Sequence, residues 1–66
     1  MFKENELKAQ MARKGVTQEE LAKALGLNAS TLWRKLKADG NFTRNEIGII
    51  MDYLEIDDPN SIFFAD

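Results

Sequence analysis

Apolar residues recur every three or four positions along most of the chain, between glycines and polar residues that typically begin or end helices. In the first segment Leu7 and Met11 lie four positions apart, and Gly15 follows two basic residues. This spacing places both apolar side chains on one helix face, and a glycine just after it commonly ends a helix. The pattern therefore predicts a first helix over residues 2–14.

Three further segments open on sequences that typically cap helices. Thr17 and Thr43 are each followed three residues later by a glutamate, which is the capping-box pattern, and Asn28 is a favourable N-cap. Each is followed by an apolar stripe at helical spacing. The inward residues are predicted to be Leu21, Ala22 and Leu25 in the second helix, Leu32 and Leu36 in the third, and Ile47, Ile50, Met51 and Leu54 in the fourth.

The end of the chain predicts one more short helix. Asp58 and Pro59 suit the N-cap and first position of a helix that ends in residues 62–64. Gly48 inside the fourth helix is expected to permit close approach of another element. No segment alternates in the manner of a strand, so we expect an all-α fold with five helices and a single domain over residues 1–66.

Composition narrows the possible functions. The 66 residues include no cysteine and no histidine. This excludes zinc fingers, Ser–His–Asp catalysis and disulfide frameworks. A chain of this size leaves little room for an enclosed substrate pocket, so we expect no enzyme and no cofactor. No apolar run approaches the roughly 20 residues that span a bilayer, and the N-terminus is unlike a signal peptide. We therefore expect a cytoplasmic protein.

The segment 17–38 has the organisation of a helix-turn-helix. Two short helices are joined by a turn of about three residues that contains Gly26. In this motif the second helix enters the major groove of DNA. If Leu32 and Leu36 point inward, helical geometry places four polar residues on the outer face. None of the four is acidic, and all can contact DNA bases or phosphates. They are Ser30, Thr31, Arg34 and Lys37.

The overall charge of −2 hides an uneven distribution. Residues 1–37 carry eight basic and four acidic side chains, whereas residues 38–66 carry one basic and seven acidic ones. The segment 28–38 has no acidic residue. A basic DNA-facing surface and an acidic rear can therefore coexist in this chain.

The segment 17–32 resembles the helix-turn-helix of the lambda repressor/Cro (Xre) family. The resemblance rests on Gln18, Leu21, Ala22, Leu25, Gly26, Leu27 and Leu32. The segments 34–36 and 42–47 resemble small Cro-like and repressor proteins of phages, especially phages of Gram-positive bacteria. The resemblance covers roughly residues 4–56 and implies a compact five-helix domain.

The resemblance also implies roles for individual residues. Gln18 would contact a phosphate, Lys37 and the segment 41–45 would approach the DNA backbone, and four positions of the third helix would face base edges, namely Ala29, Ser30, Trp33 and Arg34. The sequence departs from the family pattern at Lys35, where an apolar residue is expected, and at Trp33, which is unusually large. The complete predicted DNA-binding set is Gln18, Asn28, Ala29, Ser30, Thr31, Trp33, Arg34, Lys37, Asn41 and Arg44.

Plainer interpretations exist for the same residues. Gln18 and the polar face of the third helix can be solvated surface. Trp33 can cover the edge of the core, touch a thymine methyl or sugar, or belong to a protein interface. The apolar residues 62–64 can pack in the last helix or form a dimer contact.

Two functions follow from the sequence. The first is a sequence-specific transcription regulator, repressor-like or Cro-like, that binds a pseudo-palindromic operator as a homodimer. The alternative is a protein-interaction module on the same fold that modulates a partner repressor and binds DNA weakly.

Overall fold

The computed structural model describes residues 2–38 and 40–64, and every regular element in this part of the chain is a helix. It contains four α-helices and a single 3-10 helix: α1 Glu4–Lys14, α2 Gln18–Leu25, α3 Ala29–Lys37, α4 Arg44–Leu54 and the 3-10 helix Pro59–Ser61. The predicted all-α class is confirmed. The predicted count of five α-helices is wrong, because the last element is one 3-10 turn.

The last turn is short because the chain folds into the core immediately after it. The side chain of Asp58 accepts a hydrogen bond from the N–H of Asn60 at 3.0 Å, as expected of an N-cap. The carbonyl of Ile62 then accepts a bond from the N–H of Lys3 at 2.7 Å. Ile62 and Phe63 are buried. A longer helix would carry them away from these contacts.

The predicted helix starts at Thr17, Asn28 and Thr43 are confirmed. Both threonines form complete capping boxes with the glutamate three residues later. The side-chain oxygen of Asn28 accepts a hydrogen bond from the N–H of Thr31 at 2.8 Å. These bonds satisfy N–H groups that a helix leaves unpaired in its first turn, so local chemistry fixes where α2, α3 and α4 begin.

The first helix begins at Glu4 rather than at residue 2 as predicted. Phe2 is buried, and its ring centroid lies 5.8 Å from that of Phe42 and 5.8 Å from that of Phe63. A side chain at position 40 would overlap the Phe2 ring, and Gly40 has a φ of +69°, which glycine adopts readily. Packing of this aromatic cluster therefore decides the conformation of the N-terminal residues.

The core lies where α2 meets α3 and α4, with α1 packed across α4. The buried apolar residues are Phe2, Leu7, Met11, Leu21, Ala22, Leu32, Leu36, Ile50, Leu54, Ile62 and Phe63. No described element of the chain makes the close approach to Gly48 that the sequence predicts. An added Cβ there would meet no described atom within 4 Å, and Gly48 is exposed. A glycine inside a helix costs roughly 0.5–1 kcal/mol relative to alanine, and no contact within the described residues offsets this cost.

Candidate nucleic-acid interface

The turn between α2 and α3 sets the orientation of the third helix. Gly26 ends α2 with a φ of +72°. The N–H groups of Gly26 and Leu27 donate hydrogen bonds to backbone carbonyls of α2. Leu32 and Leu36 on α3 are almost completely buried. Because these two side chains point into the core, the opposite face of α3 is turned to solvent.

The solvent face of α3 carries the polar residues predicted for it. Ser30, Arg34 and Lys37 are exposed, and Thr31 is half-buried. A shallow depression of about 270 Å³ lies beside them and is lined by Thr31, Arg34, Lys35, Ala38 and Asn41. The structure thus brings part of the α3 face next to Asn41, which precedes α4.

The first turn of α3 is internally bonded. Asn28 Oδ1 accepts the hydroxyl proton of Ser30 at 2.9 Å in addition to the N–H of Thr31. In this arrangement the Ser30 oxygen retains its capacity to accept a hydrogen bond. Among base edges in the major groove, the donors that such an oxygen can accept from are the amino groups of adenine and cytosine.

Lys37 and Trp33 lie together near the end of α3. Lys37 Nζ is 2.9 Å from Glu4 Oε2 and 5.9 Å from the centroid of the Trp33 ring. Hydrogen bonds from Lys37 and then Lys8 hold the pKa of Glu4 below its ordinary value. Trp33 is 52% exposed and is not among the residues of the buried core. The Glu4 carboxylate occupies one of the three N–H donors of Lys37 and partly neutralises its charge.

The remaining predicted contacts are spread over the surface. Gln18 is the half-buried first residue of α2, and Ala29 is the exposed first residue of α3. Arg44 lines a second groove along α4, and the depression beside α3 does not include it. DNA contact by each of these residues stays a prediction.

The side chain of Lys35 on α3 makes hydrogen bonds to residues before and within α4. Its side chain is 22% exposed, and Nζ donates to the carbonyl of Asn41 at 3.0 Å and to Glu46 Oε1 at 3.3 Å. Nζ also lies 5.9 Å from the centroid of the Phe42 ring. Lys35 therefore ties α3 to the segment before α4. No local sequence pattern identifies a pair eleven residues apart.

The carboxylate of Glu46 makes the stability of the fold depend on pH in the acidic range. The N–H of Thr43 and, more weakly, Lys35 lower the pKa of Glu46 from its ordinary value of 4.5. A carboxylate whose pKa is lower in the folded than in the unfolded state stabilises the fold at pH values above its unfolded-state pKa. That stabilisation is lost as the pH falls through its folded-state pKa. We expect Glu46→Gln to flatten the fall in the free energy of unfolding below pH 4.5. Urea denaturation at several pH values measures this.

The matched control for that experiment is Glu19→Gln, since Glu19 is an exposed glutamate in the first turn of α2. It should leave the pH dependence close to that of the parent chain. Equal flattening by both variants would contradict the assignment to Glu46.

Residues 2–38 and 40–64 contain neither a cluster of metal ligands nor a helix that could cross a membrane. No three potential metal ligands among aspartate, glutamate, cysteine and histidine come together there. None of the helices in this part of the chain has the length and apolar character needed to span a bilayer.

A family model described as a helix-turn-helix domain matches residues 5–60, which include α2, α3, α4 and all of α1 except Glu4. No curated protein and no solved structure matches the chain.

Proposed function

Because the chain belongs to the helix-turn-helix domain family, we propose that it is a sequence-specific DNA-binding transcription regulator of the phage repressor or Cro-like type. The observation that carries this proposal is the solvent face of α3. It presents Arg34 and Lys37 with two hydroxyl residues, and the sequence 28–38 contains no acid. A helix with such a face suits the negatively charged major groove.

Some of the proposed contacts would read bases, and others would position the protein on the DNA backbone. Arg34 is suited to bidentate bonding with a guanine, and Ser30 and Thr31 lie on the same face for adjacent bases or phosphates. Lys37 would exchange Glu4 for a phosphate oxygen at little cost, since exposed ion pairs contribute little free energy. Lys35 would hold Asn41 beside α3, where the backbone of the DNA would pass.

We further propose that the regulator acts as a homodimer on a pseudo-palindromic operator. One small module buries only about 600–1,000 Å² of protein surface on DNA, which limits its affinity and specificity. Two copies would read half-sites whose centres are about 34–36 Å apart or a multiple of that distance. The proposal places the protein in the cytoplasm with the DNA and assigns it no enzymatic activity and no cofactor.

One observation favours the alternative function, a module that binds a partner repressor. Tyr53 and Phe64 are 43% and 57% exposed, and both lie outside α3. A binding titration distinguishes the two functions. Tight binding to another repressor with no detectable DNA binding at low salt would favour the alternative and reject the regulator.

Replacing Lys37 by alanine tests the proposed positioning contact. If Lys37 binds a phosphate, the variant should weaken binding to all DNA sequences alike and reduce the salt slope of log K by about one unit. Fluorescence anisotropy at several salt concentrations measures both effects.

Lys14→Ala is the matched control for this measurement. Lys14 also forms an exposed ion pair, with Glu55 at 3.5 Å, but it belongs to the last turn of α1. It should change the salt slope much less. An unchanged slope for Lys37→Ala would show that Lys37 neutralises no phosphate.

A further inference from the structure

Gly48 lies at the middle of α4 on its solvent side, where the described chain gives no reason for a glycine. It is exposed, and an added Cβ would meet no described atom within 4 Å. Glycine destabilises a helix interior relative to alanine. A backbone left bare at such a position allows another molecule to approach α4 closely.

Two opposite charges flank Gly48 at helical spacing. Arg44 lies four residues before it and Asp52 four residues after it, and both are exposed. Rows of residues four apart form the ridges through which helices pack. Within residues 2–38 and 40–64, neither Arg44 nor Asp52 belongs to an ion pair. Along this row, the cationic Arg44 is followed by the exposed backbone at Gly48 and then by the anionic Asp52.

An apolar groove runs along one side of this row. Its volume is about 560 Å³, and Phe64 at its wall is 57% exposed. The apolar residues that line it are Phe42, Ile47, Met51, Pro59 and Phe64. Groove and row together form a continuous surface, which we call the α4 face.

We propose that the α4 face is an interface between two copies of this chain, whose α4 helices cross antiparallel at Gly48. A two-fold axis through that crossing places position 44 of one copy opposite position 52 of the other. Arg44 then meets Asp52 of the second copy, and the symmetry forms this pair twice. The same axis brings the two apolar grooves to one side of the crossing, where they cover each other.

Charge complementarity between positions 44 and 52 supports a second copy as the occupant. Residues 38–66 contain one basic and seven acidic side chains, so most pairings of this half with itself are repulsive. The antiparallel crossing at Gly48 brings Arg44, the only basic residue of that half, against an acid. The α4 face is therefore complementary to itself in charge, as an isologous interface requires.

This inference deepens the proposed function, because it names the surface through which two DNA-binding copies would meet. Its test uses no DNA. A chain that binds an operator but stays monomeric would overturn the interface and the proposed homodimer, and it would leave the proposed DNA binding through α3 standing. A chain that dimerises through α4 without binding DNA would overturn the proposed DNA binding and leave the interface standing.

Gly48→Ala should act in opposite directions on the monomer and on the dimer. Alanine should raise the melting temperature of the dilute monomer by roughly 2–8 °C, because it favours the helix. It should also weaken dimerisation about tenfold or more, since a side chain at the crossing pushes the helices apart. Circular dichroism measures the first effect, and sedimentation equilibrium measures the second.

Gly48→Leu should abolish the dimer, whereas Ala12→Leu, at an exposed position of α1, should leave it intact. Arg44→Glu and Asp52→Lys should each weaken the dimer, and the double variant should restore it, because the pair is re-formed with its charges exchanged. A chain that is monomeric throughout, a dimer that Gly48→Ala leaves unchanged, or a double variant that restores nothing would overturn the proposal.

Discussion

Replacing Leu32 by alanine is expected to lower the free energy of unfolding by about 2–5 kcal/mol, the usual cost of emptying a buried leucine site. Leu32 is completely buried where α3 meets the rest of the core. A chain of 66 residues has a total stability of only about 3–10 kcal/mol. The variant should therefore be largely unfolded at moderate temperature. Thermal and urea denaturation measure the loss.

Trp33→Ala is the matched control, because Trp33 is the next residue and is 52% exposed. Exposed substitutions usually change stability by only about 0.5 kcal/mol. The comparison also tests which face of α3 is available to DNA. A larger loss for Trp33→Ala than for Leu32→Ala would mean that α3 is rotated, with its polar face against the core.

Replacing Arg34 by alanine is expected to cost about 1–3 kcal/mol of operator binding, which is roughly 5-fold to 150-fold in affinity. Arg34 is exposed on the solvent face of α3, and a bidentate arginine–guanine contact discriminates against every other base. The loss should therefore concentrate at one base pair in each half-site. Binding to a panel of single-base operator variants at fixed salt measures this pattern.

Arg13→Ala serves as its control, since Arg13 is an exposed arginine near the end of α1. It removes the same charge and should leave the base preference of the protein unchanged. If Arg34→Ala weakened binding equally to all sequences, Arg34 would be a phosphate contact and would read no base.

The sequence predicts what local interactions determine. Thr17, Asn28 and Thr43 begin helices because each side chain bonds a backbone N–H three residues away. The inward face of α3 follows from the spacing of Leu32 and Leu36 alone. The same spacing therefore predicts which polar residues lie on the outer face of this helix.

Contacts between distant segments could not be predicted in this way. Lys37 pairs with Glu4, thirty-three residues earlier, and Lys35 pairs with Glu46, eleven residues later. Phe2 leaves the predicted first helix because it packs against Phe42 and Phe63. Each arrangement depends on how the helices pack together, which the periodicity of a single segment does not encode.

The end of the chain shows the same limit. Asp58 and Pro59 predict a helix start, and the N-cap bond of Asp58 is present. The element nevertheless stops after one turn, because Ile62 and Phe63 are held in the core. Capping chemistry indicates where a helix begins, whereas tertiary packing decides here how far it continues.

The most direct test of the proposed function is the selection of binding sites from random duplex DNA at one stated salt concentration. We expect enrichment of a pseudo-palindrome whose half-site centres lie about 10–10.5 base pairs apart or a multiple of that spacing. We also expect the same selection with Arg34→Ala to lose preference at one position in each half-site. Selected pools no different from the starting DNA, even at low salt, would contradict the claim that α3 reads an operator.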